Sequence, residues 1–234
     1  MTSGIDSSWR SLYKSGGFGM LIAGVLSILN AVAQAIIYSQ KVSYNPKTVG
    51  DLLTFALTRT NLYYLQYYSA GTSMLFILPG IMALYFVLSH KDKGLALIGS
   101  ALGTIGITIY LSNLADHLFF VQEATTYAAG CTTCSMEALA GAAGSFSVTT
   151  ADVLAGFALG IAIVILSFLM YTEQAMSRPI ALIGLLAGFV LALVYPTIAL
   201  TSGPDLFFYA GLLSTIIPAL WFFGVAAKLY RIVS

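Results

Sequence analysis

Six stretches of this chain are apolar for long enough to cross a lipid bilayer, at residues 17–38, 67–89, 95–121, 153–171, 179–200 and 206–229. A helix rises about 1.5 Å per residue, so roughly 20 residues cover a hydrocarbon core of about 30 Å. Only 8% of the side chains are charged, against about 25% in a soluble domain, so there is too little polar surface to keep 234 residues in water. In lipid every backbone N–H and C=O must be satisfied within the protein, which leaves helices or a closed barrel. A barrel would alternate apolar and polar residues along short strands, and these runs do not alternate. The expected fold is all-α: a polytopic bundle of six transmembrane helices with short interfacial helices, forming a single domain over residues 1–234.

The first run follows Arg10 and Lys14 and contains the small-residue box Ala31-Val32-Ala33. It is longer than the apolar region of a secretory signal and holds Asn30 and Gln34, so it reads as a retained helix. With both termini inside, the inner face collects Arg10, Lys14, Lys91, Lys93, Arg178, Lys228 and Arg231, and the outer face Lys41, Lys47 and Arg59. That excess predicts a multi-pass protein of the cell membrane with cytoplasmic termini, although the first outer loop carries positive charge against the rule.

Several function classes fall away. Ten basic and nine acidic residues give a net charge of +1, without the basic stripe that tracking nucleic acid requires. HExxH, GxSxG, Gly-rich phosphate loops and the dinucleotide fingerprint are missing. The two histidines, His90 and His117, belong to opposite sides, which excludes bis-histidine haem within the bundle and a three-histidine zinc site. No cofactor is indicated and no catalytic residue is assigned.

Smaller features add detail. Thr48, with Asp51 three residues on, suits the start of a short helix in which Val49, Leu52, Leu53, Ala56 and Leu57 recur at helical spacing. It would lie against the outer interface or the bundle, as a connector or a gate. The segment at residues 5–14 would float at the inner headgroups, with Trp9 as anchor. The tyrosines of residues 61–71 suit an aromatic belt. Gly99, Gly103 and Gly106, then Gly156 and Gly160, then Gly184 and Gly188, line helix faces. Such faces permit close packing within the bundle, self-association, or contact with other integral membrane subunits. Pro79, Pro196 and Pro218 should each free a carbonyl and bend a helix.

Polar residues gather towards the outer half: Asn30, Gln34, Tyr67, Asn113, Asp116, His117 and Tyr195 are the candidates for ligand or proton handling, and Asp152 opens the fourth run. Asn113, Asp116 and His117 stand at i, i+3 and i+4. Counting about 20 residues from Leu95 brings the core boundary to Leu114, so Asp116 and His117 are expected at the outer headgroups, where a charge costs little. Cys131 and Cys134 read as a local disulfide in an oxidising exterior. A metal site from Cys131, Cys134, His117 and Glu137 is the weaker alternative, because nothing fixes their distances.

The layout resembles that of uncharacterised prokaryotic six-helix integral membrane proteins of unknown function. The resemblance rests on the LYY-like start at residues 62–70, the glycine-containing third span and the hairpin between the fourth and fifth. It implies no residue roles. Two functions are expected from the sequence. The first is a non-catalytic subunit of a larger membrane complex, such as a respiratory or other redox complex. The second is a small transporter or ligand-binding protein with a site in the outer half. Lipids are expected partners of either, and nucleic acid of neither. A membrane enzyme using Asp116 and His117 ranks third.

Overall fold

A computed structural model describes residues 7–45, 49–128, 150–172, 177–201 and 204–233. Described residues are helical or turn, with no strand among them. A 3-10 turn, Ser7–Trp9, runs directly into α1, Arg10–Tyr44. Then come α2 (Val49–Leu57), α3 (Thr60–Leu88), α4 (Lys93–Ala128), α5 (Thr150–Thr172) and α6 (Arg178–Phe189). A π-helical segment, Val190–Val194, links α6 to α7 (Tyr195–Thr201), and α8 (Pro204–Val233) ends the chain. Six helical stretches are long and apolar enough to cross a membrane, with α6, the π segment and α7 contributing one of them. The protein is a multi-pass membrane bundle.

The spans form a closed ring. α1 packs on α3, α3 on α4, α4 on α5, α5 on α6, α6 on α8, and α8 returns to α1. Helices that follow one another in sequence pack together, and the α8–α1 seam closes the ring between the two ends of the chain. The ring encloses one apolar core that includes Met20, Ile77, Leu84, Leu166, Met170 and Trp221. Other large apolar residues point outward, among them Phe18, Leu75, Ile105, Phe168 and Leu186. A helix apolar on all sides belongs in lipid.

The glycine faces are spent inside this ring. A Cβ on Gly106 would lie 2.8 Å from the Leu159 nitrogen and 3.0 Å from the Ala155 carbonyl, so α4 and α5 touch backbone to backbone there. A Cβ on Gly160 would lie 2.5 Å from the Ala192 nitrogen. Between α1 and α3 the adhesive is polar: Ser27 Oγ donates to Ser73 Oγ at 3.0 Å, and Ser73 Oγ donates to the Ala23 carbonyl at 3.0 Å.

The prolines act differently from one another. Pro79 and Pro218 lie within continuous helices. Pro196 follows the π segment, where the Tyr195 N–H reaches back to the Val190 carbonyl. Proline cannot donate to the carbonyl four residues earlier, and its ring crowds that carbonyl. The wider π turn relieves the clash before Pro196.

The short helix α2 packs against the bundle end. Phe55 and Ala56 are buried with Ile37, Tyr63, Tyr67 and Val121, so this helix caps the ring rather than lying loose on an interface. The N-terminal turn also differs from expectation. It continues straight into α1, and Trp9 stacks on Phe86 with ring centroids 3.9 Å apart. The Thr48 cap, Glu137 and the Cys131–Cys134 pair lie outside the described residues.

Candidate functional site

The polar centre of the bundle lies on the α4–α5 seam, towards the end that α2 caps. Gly106 brings the two backbones together two turns before Asn113. That approach lets the Asn113 amide cross the seam and donate from Nδ2 to Asp152 Oδ1 at 2.8 Å. Asp152 sits in the first turn of α5, where the helix dipole favours a carboxylate. His117, one turn beyond Asn113, places Nε2 3.2 Å from Asn113 Nδ2 and 3.4 Å from Asp152 Oδ2. The side chains of His117 and Asp152 are only 13% and 11% exposed.

Aromatic rings enclose this triad. The Tyr67 ring lies parallel to His117 with centroids 5.1 Å apart. Tyr110 stands one turn before Asn113 on α4. Tyr195 comes from α7, immediately after the π segment, and its ring passes beside Gly156. Three separate parts of the chain thus converge on one carboxylate.

The tautomer decides the role of Nε2: without a hydrogen it accepts from Asn113 Nδ2, and with one it donates to Asp152 Oδ2. Nδ1 is buried and has no partner among the described residues. Buried polar atoms are nearly always paired, so this nitrogen marks where another polar group fits.

Asp116 takes no part in the triad. A helix turns about 100° per residue, so the inward arc that holds Asn113 and His117 leaves Asp116 on the outer shoulder. It is exposed and borders a hollow of about 320 Å³ shared with Thr108, Ile109, Ser112, Asn113 and Ala151. The depth estimate placed both Asp116 and His117 at the headgroups. Only Asp116 faces outward; His117 turns into the bundle because its ring finds Tyr67 and its Nε2 finds Asp152. Asn30 is buried and its Oδ1 accepts from Gln34 Nε2 at 3.5 Å. That pair on α1 makes no hydrogen bond to the triad. Of the expected candidates, the structure gathers Tyr67, Asn113, His117 and Tyr195, and leaves Asn30, Gln34 and Asp116 aside.

Asp152 and Tyr110 were not among the expected site residues. Asp152 looked like an ordinary acidic helix start. The available signal was charge balance: from residue 94 to residue 177 the chain has no lysine or arginine, so a buried Asp152 had only His117 as a basic partner on its own or neighbouring span. Among the described residues no three His, Cys, Asp or Glu side chains are grouped to hold a metal ion.

A family model, Domain of unknown function (DUF4386), matches residues 16–233. The chain belongs to that family. The match spans all six membrane helices and the Asn113–His117–Asp152 triad. No curated protein and no solved structure matches the chain. The family's description assigns no function, and the chemistry is left to be argued from the triad.

Proposed function

We propose that this protein is a small transporter or ligand-binding membrane protein whose site is the Asn113–His117–Asp152 triad. One observation carries the reading: a carboxylate buried between two membrane spans, held by an amide and an imidazole whose second nitrogen is unpartnered among the described residues. Ionisable groups inside a membrane bundle are costly and are kept mainly for ion, proton or substrate handling. His117 Nε2 lies within reach of both the Asn113 amide and the Asp152 carboxylate, which supports a polar site able to bind a small solute. The glycine faces that suggested a partner subunit are filled by the chain's own helices, so they lend no weight to a complex-subunit role. By the positive-inside bias, the site lies in the outer half and the termini are cytoplasmic.

The test is a thermal-shift screen of the purified protein in detergent against small polar and ionic solutes, run beside Asp152→Asn. A ligand that stabilises the native protein and not the variant supports the site. Failure of every solute, together with stoichiometric co-purification of other membrane subunits, would return the complex-subunit reading.

A further inference from the structure

The elbow between α2 and α3 holds an arginine that is fixed in place but not neutralised. Arg59 Nε donates to Gln40 Oε1 of α1, and Nη1 donates to the Phe55 carbonyl and to Thr58 Oγ1. The guanidinium lies 4.1 Å above the Phe55 ring centroid. Every one of these partners is neutral, and no carboxylate pairs with Arg59 among the described residues. The Nη2 group donates to none of them.

This guanidinium borders a hollow of about 410 Å³, whose other polar lining is Gln40, Thr58, Thr60 and Asn61. The wall therefore offers hydroxyl and amide groups and no acid. α3 begins at Thr60 with no side-chain cap; the Leu62 and Tyr63 N–H groups donate to the Arg59 carbonyl, and the positive end of the helix dipole lies at the same place. A planar guanidinium matches the oxygen edge of a phosphate and binds it with paired, charge-assisted hydrogen bonds. Ordering the arginine beforehand lowers the entropy cost of doing so. The membrane-crossing helix Thr60–Leu88 starts one residue after Arg59 and its apolar run starts at residue 67, so the guanidinium lies outside the hydrocarbon, on the side of the headgroups.

We propose that the α2–α3 elbow is a binding site for an anionic phosphate group, gripped by Arg59 and oriented by Gln40 and the start of α3. Two sources share that chemistry: a phospholipid headgroup and free phosphate. The site is separate from the Asp152 triad and stands whether or not that triad binds a ligand.

Native mass spectrometry of the full chain in neutral detergent tests it, with short-chain phosphatidylglycerol and inorganic phosphate titrated separately. The native protein should retain one phosphate-bearing molecule. Arg59→Gln should weaken retention tenfold or more. Arg59→Lys, which keeps the charge and loses the fork, should fall between. Gln40→Leu, which releases the brace, should weaken retention severalfold. Binding of phosphatidylglycerol alone assigns the site to a lipid headgroup. Displacement by millimolar inorganic phosphate assigns it to the free anion. Equal retention by the native protein and Arg59→Gln of both probes overturns the proposal. If Arg59→Gln does not fold, equal retention by Arg59→Lys, Gln40→Leu and the native protein overturns it instead.

Discussion

Asn113 holds the site together because its amide supplies the hydrogen that the buried Asp152 carboxylate needs, at 2.8 Å. Replacing it with leucine removes the Nδ2–H that Oδ1 accepts across the α4–α5 seam. An unsatisfied buried acceptor costs about 1–3 kcal/mol, and the residual exposure of Asp152 argues for the lower part of that range. Asn113→Leu should lower the melting temperature in detergent. The double variant Asn113→Leu/Asp152→Leu should recover part of the loss, since both polar partners are then gone. A double variant less stable than the sum of the singles would contradict this account. His117→Ala should cost less stability than Asn113→Leu, because Asp152 keeps the shorter bond. The same residues show what the sequence could reveal. Asn113 and His117 were visible as polar interruptions at i and i+4. Their inward direction was not, because it depends on Tyr67 and Asp152, which lie on other helices.

At the scale of elements, the seams set the geometry. Gly106 permits the backbone contact from which Asn113 reaches α5. Gly106→Val would force the helices apart, at a cost of about 1–3 kcal/mol for overpacking, and lengthen the Asn113–Asp152 bond. Thermal unfolding and the loss of any Asp152-dependent ligand shift would read the two effects. Phe55 plays the corresponding part for α2, being fully buried in the cluster that contains Tyr67. Phe55→Ala should cost about 3–5 kcal/mol of local stability and speed amide exchange in α2 while the ring of spans stays protected. Unchanged exchange in α2 would mean that the cap is held by something other than Phe55. The six spans were legible because a membrane demands one long apolar run for each crossing. The π segment was not, because Pro196 signals only that a bond is lost and leaves open how the helix absorbs it.

For the whole molecule, six crossings put the two ends of the chain on the same side. The count of positive charges favours the cytoplasm for that side, against the opposing vote of Lys41, Lys47 and Arg59, and a fusion tests it. A green fluorescent protein fused after Ser234 should fluoresce, and an alkaline phosphatase fused there should be inactive. The reverse pair of results would invert the orientation. Ring closure by α8 against α1 was likewise beyond the sequence, since apolar runs carry little information about which of their faces meet. The phosphate site at Arg59 also belongs to this scale. The charge that weakens the inside-positive count is the charge that the elbow presents to headgroups.

The α2 cap also bears on how the triad is reached. Phe55, Ala56 and Tyr67 close the bundle end above His117, whereas the hollow beside Asn113 opens on the flank of α4, past exposed Thr108 and Ser112. A solute that enters by this hollow comes from the flank of α4, and one that has dissolved in the bilayer meets it there. Its effective dose is then counted per mole of lipid rather than per litre of water. Diluting a fixed amount of such a solute with more vesicles, at constant protein, would lower occupancy even though the aqueous volume never changed.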